Sequence, residues 1–250
     1  MIAAKNFYDA YGALAACADH PMVLAGRNLF NESQLAAICQ DVQAKLALGA
    51  HDRLLEIGCN VGTLLTPLAG LVREAVGQDH PDLLARYAEF GGVPANVTLV
   101  GGFWPDVQPP GLFDKILIYA VVIALPSPAV LDRVIDACLE KLAPGGRLLV
   151  GDLRNPDMLG RYLASEEGRR TSAAYAAQRD QDHLAHQALY AGRDRLFEAA
   201  GEPPDFADDA YLLGLLRRIR ARGFDAWLLP QPSGLPSFLS REDLLVWRRR

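Results

Sequence analysis

Several features that would mark other protein classes are scarce in this chain. Its four cysteines, Cys17, Cys39, Cys59 and Cys138, contain no Cys-x-x-Cys pair. Zinc sites need ligands in close pairs, and a disulfide framework needs denser cysteine. The pattern therefore predicts buried reduced thiols in a cytoplasmic protein, and no metal site. No apolar run reaches the roughly 20 residues of a membrane-spanning helix. Asn6, Asp9 and Gly12 interrupt the N-terminal apolar residues, so they make no secretory signal core. Positive charge is in the minority: 25 Lys and Arg against 30 Asp and Glu give a net −5. A nucleic-acid partner calls for a basic footprint, and Arg248-Arg249-Arg250 is too short to supply one. There is no internal repeat or low-complexity linker. With 250 residues, half of them hydrophobic, the expectation is a single globular domain with a substantial core.

What the chain does carry is centred on residues 53–65. Leu54, Leu55 and Ile57 form a short apolar run of the kind that makes a buried parallel strand. Glu56, Gly58, Cys59, Asn60 and Gly62 follow, then Thr63, Leu64, Leu65 and Leu68 open a helix predicted over 63–72. A loop at the carboxyl end of a strand and under a helix N-terminus is where open α/β sheets bind ligands. Gly58 and Gly62 permit close backbone approach and positive φ. A dinucleotide loop wants Gly-x-Gly-x-x-Gly. Here Asn60 stands at the middle glycine, although asparagine tolerates left-handed backbone. A strand-to-helix turn without a ligand stays open at this point.

A second strand at 74–77 leads to Asp79, about 20 residues past the loop. An ionised carboxylate only accepts hydrogen bonds, so it suits the two hydroxyl donors of a ribose. Capping the helix that Pro81 begins is the alternative role. Further strands are predicted at 97–100, ending in Gly102, Phe103 and Trp104, and at 112–120, ending in Tyr119 and Ala120. Ser127-Pro128 starts a buried helix that Ala143-Pro144-Gly145-Gly146 stops. Strand 147–152 follows and ends at Asp152.

At the N-terminus, Phe7, Tyr8 and Tyr11 lie in short helices broken at His20-Pro21. Asn31-x-x-Gln34 has the form of a capping box. The face Leu35, Ile38, Cys39, Val42, Leu46 predicts a helix running to Gly49. Residues 153–222 are polar and mostly helical, with a break at Gly201-Glu202-Pro203-Pro204. Asp208 or Asp209 caps the helix that Gly223 ends. His183 and His186 are three apart on one face, which suits a solvent or lid role better than a metal pair without a third ligand. Strands 224–229 and 243–248 are joined by the turn-rich loop from Gln231 to Pro236 with no helix, which permits an antiparallel pair.

Four of these motifs together resemble the class I S-adenosylmethionine (SAM) methyltransferases. They are Glu56-x-Gly58-x-x-x-Gly62, Gly77-Gln78-Asp79 with Leu83, Leu84 and Ala85, the Phe113-Asp114 strand opening, and Leu142-x-Pro144-Gly145-Gly146. The resemblance covers about residues 50–152 and 223–250. It implies an α/β fold: a doubly wound, seven-stranded, mostly parallel Rossmann-like sheet with an antiparallel last strand. The helical insertion falls between strands five and six. It implies one domain over 1–250, with 1–50 as a helical cap over the pocket and 153–222 as a substrate lid.

The implied cofactor is SAM. The loop Glu56, Gly58, Cys59, Asn60 and Gly62 would hold its amino-acid end, Asp79 and His80 its ribose, Gly102 and Phe103 its adenine, and Tyr119 and Ala120 its methionine half. Three departures accompany the match. Asn60 replaces a glycine, no acid stands near Gly102, and Ile123-Ala124 occupy the place where many relatives carry a histidine. The implied activity is methyl transfer to a small molecule, a hydroxyl of a sugar or another metabolite. The closing Ser240-Arg241-Glu242-Asp243-Leu244-Leu245 pattern and Gly151-Asp152-Leu153-x-Asn155-Pro156 are similar to methyltransferases of bacterial surface-polysaccharide biosynthesis. Asp152 is the first candidate proton acceptor, followed by His80, His183 and His186, while Asp152 as a structural cap beside Asn155 stays open. A homodimer is compatible with this reading. Two others stay open: a non-catalytic partner protein of the same fold, and an NAD(P)-dependent oxidoreductase.

Overall fold

Seven strands form one sheet: β1 (Arg53–Ile57), β2 (Glu74–Asp79), β3 (Val97–Gly101), β4 (Phe113–Tyr119), β5 (Leu142–Arg154), β6 (Asp225–Pro230) and β7 (Arg241–Trp247). Their order is β3-β2-β1-β4-β5-β7-β6. The computed structural model describes residues 7–202, 204–235 and 239–250. Asn6, Pro203 and Pro236, on which expectations above fell, lie outside the described residues. The first five strands pair in parallel, and β7 enters antiparallel between β5 and β6. This is the sheet expected from the sequence. The helix-free β6–β7 connection forces the reversal, because a parallel neighbour needs a crossover.

The helices are α1 (Phe7–Leu14), α2 (Pro21–Leu24), α3 (Leu35–Leu46), α4 (Leu65–Ala69), α5 (Pro81–Tyr87), α6 (Pro128–Lys141), α7 (Pro156–Ala164), α8 (Glu166–Ala185), α9 (Gln187–Ala200) and α10 (Asp209–Ala221). Strand side chains alternate between the two faces. Leu55, Ile57, Ile116, Ile118, Leu148 and Val150 pack on α6 and α10. Their neighbours Leu54, Leu117 and Leu149 pack on α3 and α4. Both faces are covered, which is why these strands read as unbroken apolar runs. A third cluster joins Leu14, Val23 and Leu24 of the N-terminal helices to Leu83 and Tyr190.

Local details depart from expectation in four places. The Asn31 capping box does not form: residues 29–34 make a 3-10 turn, and the Asn31 amide donates to the Tyr175 hydroxyl instead. Helix α3 ends at Leu46 rather than at Gly49, because Ala47 itself takes a left-handed conformation with φ 50°. Helix α4 covers only Leu65–Ala69, since the chain must turn through Asn60–Leu64 first. Strand β5 begins five residues early, at Leu142. Its Pro-Gly-Gly turn is stitched to the end of β7 by Gly145 N–H to Arg248 O (2.8 Å) and Arg248 N–H to Gly146 O (2.9 Å).

Candidate functional site

Chain order reverses between β1 and β4, and a crevice opens at their carboxyl ends, the place a doubly wound sheet reserves for ligands. Three strand ends around it carry a non-glycine residue with left-handed backbone: Asn60 (φ 51°), Ala120 (φ 59°) and Asp152 (φ 61°). Such residues cost on the order of 1–3 kcal/mol each and persist where surroundings fix them. Here the surroundings are specific. Asn60 N–H donates to Asp79 Oδ2 at 2.6 Å, and the Asn60 side chain donates to Leu24 O at 2.8 Å. Ala120 N–H donates to Gly151 O at 3.1 Å. Asp152 N–H donates to Asp243 Oδ1 at 2.9 Å. The glycines serve packing as much as access. At Gly62 (φ 80°) an added Cβ would lie 2.0 Å from the Tyr87 ring, and at Gly58 (φ 80°) 2.3 Å from Val121. Gly62 does not line the crevice; it shapes the loop that does.

The crevice has two lobes that share Arg27, Tyr119 and Ala120 as a common wall. The first encloses about 930 Å³ of space counted to its open mouth. Its apolar walls include Tyr8, Phe103, Trp104 and Leu125. Glu56, Gly58, Cys59, Asn60, Asp79 and Gly102 also line it. Glu56 is only 3% exposed, and its Oε2 has no hydrogen-bond partner. Burial, followed by the charge of Asp79, pushes its carboxyl up to about 8 against the pull of Arg27. Asp79 is likewise raised by burial, opposed by the N–H groups of His80 and Asn60 that donate to it at 2.6 Å each. Each of its oxygens retains a free lone pair.

His80 does not line the crevice. Its ring packs 5.1 Å from Tyr8, and its Nδ1 accepts the Asp82 N–H at 3.2 Å. His80 therefore caps α5, the role that stood as the alternative for Asp79, and Asp79 is left facing the loop. Tyr8 also meets Phe103 edge-on at 5.1 Å, so α1 covers the outer end of the lobe.

The second lobe, about 840 Å³ by the same measure, is polar. Asn31, Asp152, Tyr175, Gln231 and Arg241 contribute to its lining. Asp152 is raised by burial against the pull of Arg241, whose Nε is 3.7 Å away, and of Arg27. Beneath it, the fully buried Asp243 accepts from Lys45 Nζ (2.6 Å), Asp152 N–H (2.9 Å) and Gln231 Nε2 (3.2 Å). The capping role once open for Asp152 is filled by Asn155, whose Oδ1 accepts from Asp157 N–H and Met158 N–H.

His183 lies outside both lobes. Its ring stacks on Tyr190 at 5.5 Å and its Nε2 stands 3.5 Å from Asp194, with the side chain 45% exposed. The insertion contributes little lining: among its described residues only Tyr175 touches either lobe. It braces the N-terminal cap instead. Tyr190 Oη accepts Leu29 N–H at 2.7 Å, Arg193 donates to Arg27 O at 3.1 Å, and Phe197 packs on Phe7 and Tyr11.

Arg27, Gln231, Arg241 and Asp243 were not singled out from the sequence. Arg27 had a signal, since it is the one Lys or Arg between Lys5 and Lys45. The others lie on β7 or before it and meet the site only through the antiparallel insertion. Among the described residues no group of three or more His, Cys, Asp or Glu is placed to hold a metal, and no helix is long and apolar enough to cross a membrane.

The fold has relatives among solved structures. The DhpI–SAM–HEP complex matches with a TM-score of 0.58 at 14% identity, over 94% of this chain and 93% of that one. The N-methyltransferase NodS of Bradyrhizobium japonicum WM9, in complex with S-adenosyl-L-homocysteine (SAH), matches with 0.55 at 17% identity, over 98% of each chain. Magnesium protoporphyrin IX methyltransferase ChlM of Synechocystis PCC 6803, with bound SAM, matches with 0.53 at 13% identity, over 91% and 82%. The chain thus has the Rossmann-like fold of class I SAM-dependent methyltransferases. In sequence, 137 residues are 36% identical to chondramide synthase CmdD of Chondromyces crocatus, 52% of this chain and 4% of that protein. A stretch of 135 residues is 34% identical to a probable non-canonical nonribosomal peptide synthetase, CymA, of Salinispora arenicola, 50% of this chain and 2% of that protein. The chain therefore spans only a small fraction of the curated relatives it matches. No family model matches it.

Proposed function

We propose that this chain is a SAM-dependent methyltransferase, with the cofactor in the first lobe and a small-molecule acceptor in the second. The observation that carries this is Glu56, a buried carboxylate with an orphaned oxygen beside a left-handed loop. A buried polar group without a partner is costly, and a cationic ligand relieves that cost. The amino-acid end of SAM brings an ammonium, so the chemistry of Glu56 fits it. Asp79 keeps lone pairs for ribose hydroxyls, and the aromatic wall of Tyr8 and Phe103 suits a flat base.

When bound, SAM supplies a methyl group already activated by a sulfonium. The protein's task is then positioning, which can supply roughly 7–11 kcal/mol. Glu56 and the Asn60 turn would hold one end of the cofactor and Asp79 the sugar, beside the wall of Arg27, Tyr119 and Ala120 that the two lobes share. Asp152 stands across that wall at the tip of β5. It takes the proton from an acceptor hydroxyl; its raised carboxyl brings it closer to working pH than an exposed aspartate, which suits a general base. The N-terminal segment, through α1, closes over the first lobe, and the 153–222 insertion holds that cover in place.

Calorimetric titration with SAM and SAH tests the reading. Both are expected to bind, with SAH affinity within about an order of magnitude of SAM. If neither binds at about 1 mM while NADH does, the chain is an oxidoreductase and the proposal is wrong. If SAM binds but is never consumed with any acceptor tried, including hydroxylated acids and sugars, a non-catalytic role replaces it.

A further inference from the structure

The two guanidinium groups of the second lobe are short of partners. Arg27 forms no side-chain hydrogen bond among the described residues; its one recorded side-chain contact lies over the Tyr119 ring, 5.9 Å from the centroid. Arg241 Nε stands 3.7 Å from Asp152 Oδ1, beyond hydrogen-bond length, and among the described residues no side-chain hydrogen bond of Arg241 is formed. The third cation nearby is fully engaged: Lys45 bonds Asp41, Asp243 and the Pro230 carbonyl. The lobe therefore presents two cations to one carboxylate, Asp152, and that carboxyl is itself raised by burial. Two guanidinium forks facing a cavity with a single carboxylate are arranged for one further planar, bidentate oxyanion. An excess of about one positive charge suits a carboxylate better than a phosphate dianion, which Asp152 would repel. The uncharged polar lining is amide and phenol, with Asn28, Asn31, Gln34 and Tyr175 among it. The Asn31 Oδ1 is buried with no partner, so it wants a donor from the ligand.

We infer that the acceptor is a small hydroxylated carboxylic acid, whose carboxylate is held by Arg241 and Arg27 and whose hydroxyls meet the Asn31 amide and Asp152. This deepens the methyltransferase reading and rests on it.

The test begins with SAH alone, so that failure of the cofactor reading is seen separately. On SAH-saturated protein, D-glucuronate, D-glycerate and quinate are then titrated, each beside its primary amide, with glucose 6-phosphate as the phosphate arm. At least one acid is expected to bind about tenfold or more tightly than its amide. Arg241→Gln should bring that preference to within about twofold, with SAH affinity within about twofold of the parent. Arg241→Lys, which keeps the charge but not the fork, should fall between. The inference is overturned if SAH binds but none of the acids does, if amides bind as well as acids, if the phosphate ester is preferred, or if the preference survives Arg241→Gln. Arg27→Gln should weaken acid binding too; loss of SAH affinity alone would assign Arg27 to the cofactor and remove it from this clamp.

Discussion

The first lobe and the second meet at Tyr119 and Ala120 but are built in different ways. The largest contiguous share of the first comes from residues 56–79, closed by the loops after β3 and β4 and by Tyr8, Tyr11, Ala25 and Arg27 of the N-terminal segment. Its charged groups are two acids, Glu56 and Asp79, and the shared Arg27, set among aromatic and aliphatic walls. The second is gathered from segments far apart in the chain: the turn after α2, the tip of β5, one tyrosine of α8 and the approach to β7. Its charges are mainly cations. The contrast teaches that binding a common ligand is concentrated in a short local motif, whereas reading a particular one is distributed over positions that only the fold brings together.

That contrast can be broken by substitution. Asp152→Asn should lower turnover by about 10²- to 10⁴-fold, as loss of a general base does, while SAH affinity measured by calorimetry stays within about twofold. Equal loss of both would merge the lobes into one functional unit. Asp79→Ala should weaken SAH binding by about 1.5–3 kcal/mol, the worth of hydrogen bonds to a charged group. Unchanged affinity would take Asp79 out of the cofactor lobe.

Glu56 gives a pH signature. Its carboxyl sits at about 8, so it is protonated at neutral pH and must release that proton to pair with an ammonium. SAH affinity should therefore rise with pH between 6 and 8, by at most about tenfold per unit, and Glu56→Gln should flatten that slope. For the free protein the sign is opposite. A carboxyl raised by folding contributes stability that is complete below its unfolded range and is lost as pH climbs through about 8, a loss that Glu56→Gln should abolish in thermal melts. His183→Ala is the smallest expected effect: turnover and SAH affinity within about twofold of the parent. A larger drop in turnover would return that imidazole to the site.

The sheet was legible because its cause is local. Leu54-Leu55-x-Ile57 and Leu148-Leu149-Val150 are apolar on consecutive residues, which only a strand covered on both faces requires. The helix-free turn from Gln231 gave away the antiparallel β7. Asn60, Asp79, Tyr119, Ala120 and Asp152 line the crevice, as strand ends follow from strand boundaries. His80 and His183 line neither lobe: sequence reports that a histidine is near a loop or on a helix, but not where its ring points. One was absorbed by a helix cap and a Tyr8 contact, the other by Tyr190 and Asp194. Arg241 and Asp243 were beyond reach, since their meeting with Asp152 depends on the register of β5 against β7.

That register is interrupted between Val150 and Leu153. The irregularity releases Asp152 from the ladder, and a single side chain, Asp243, takes its amide in place of a strand carbonyl. The backbone there answers to a residue identity instead of to the generic pairing of peptide groups. Replacing Asp243 would therefore tilt the tip of β5 without unravelling the sheet, which makes it a natural tuning screw for the orientation of whatever molecule sits above.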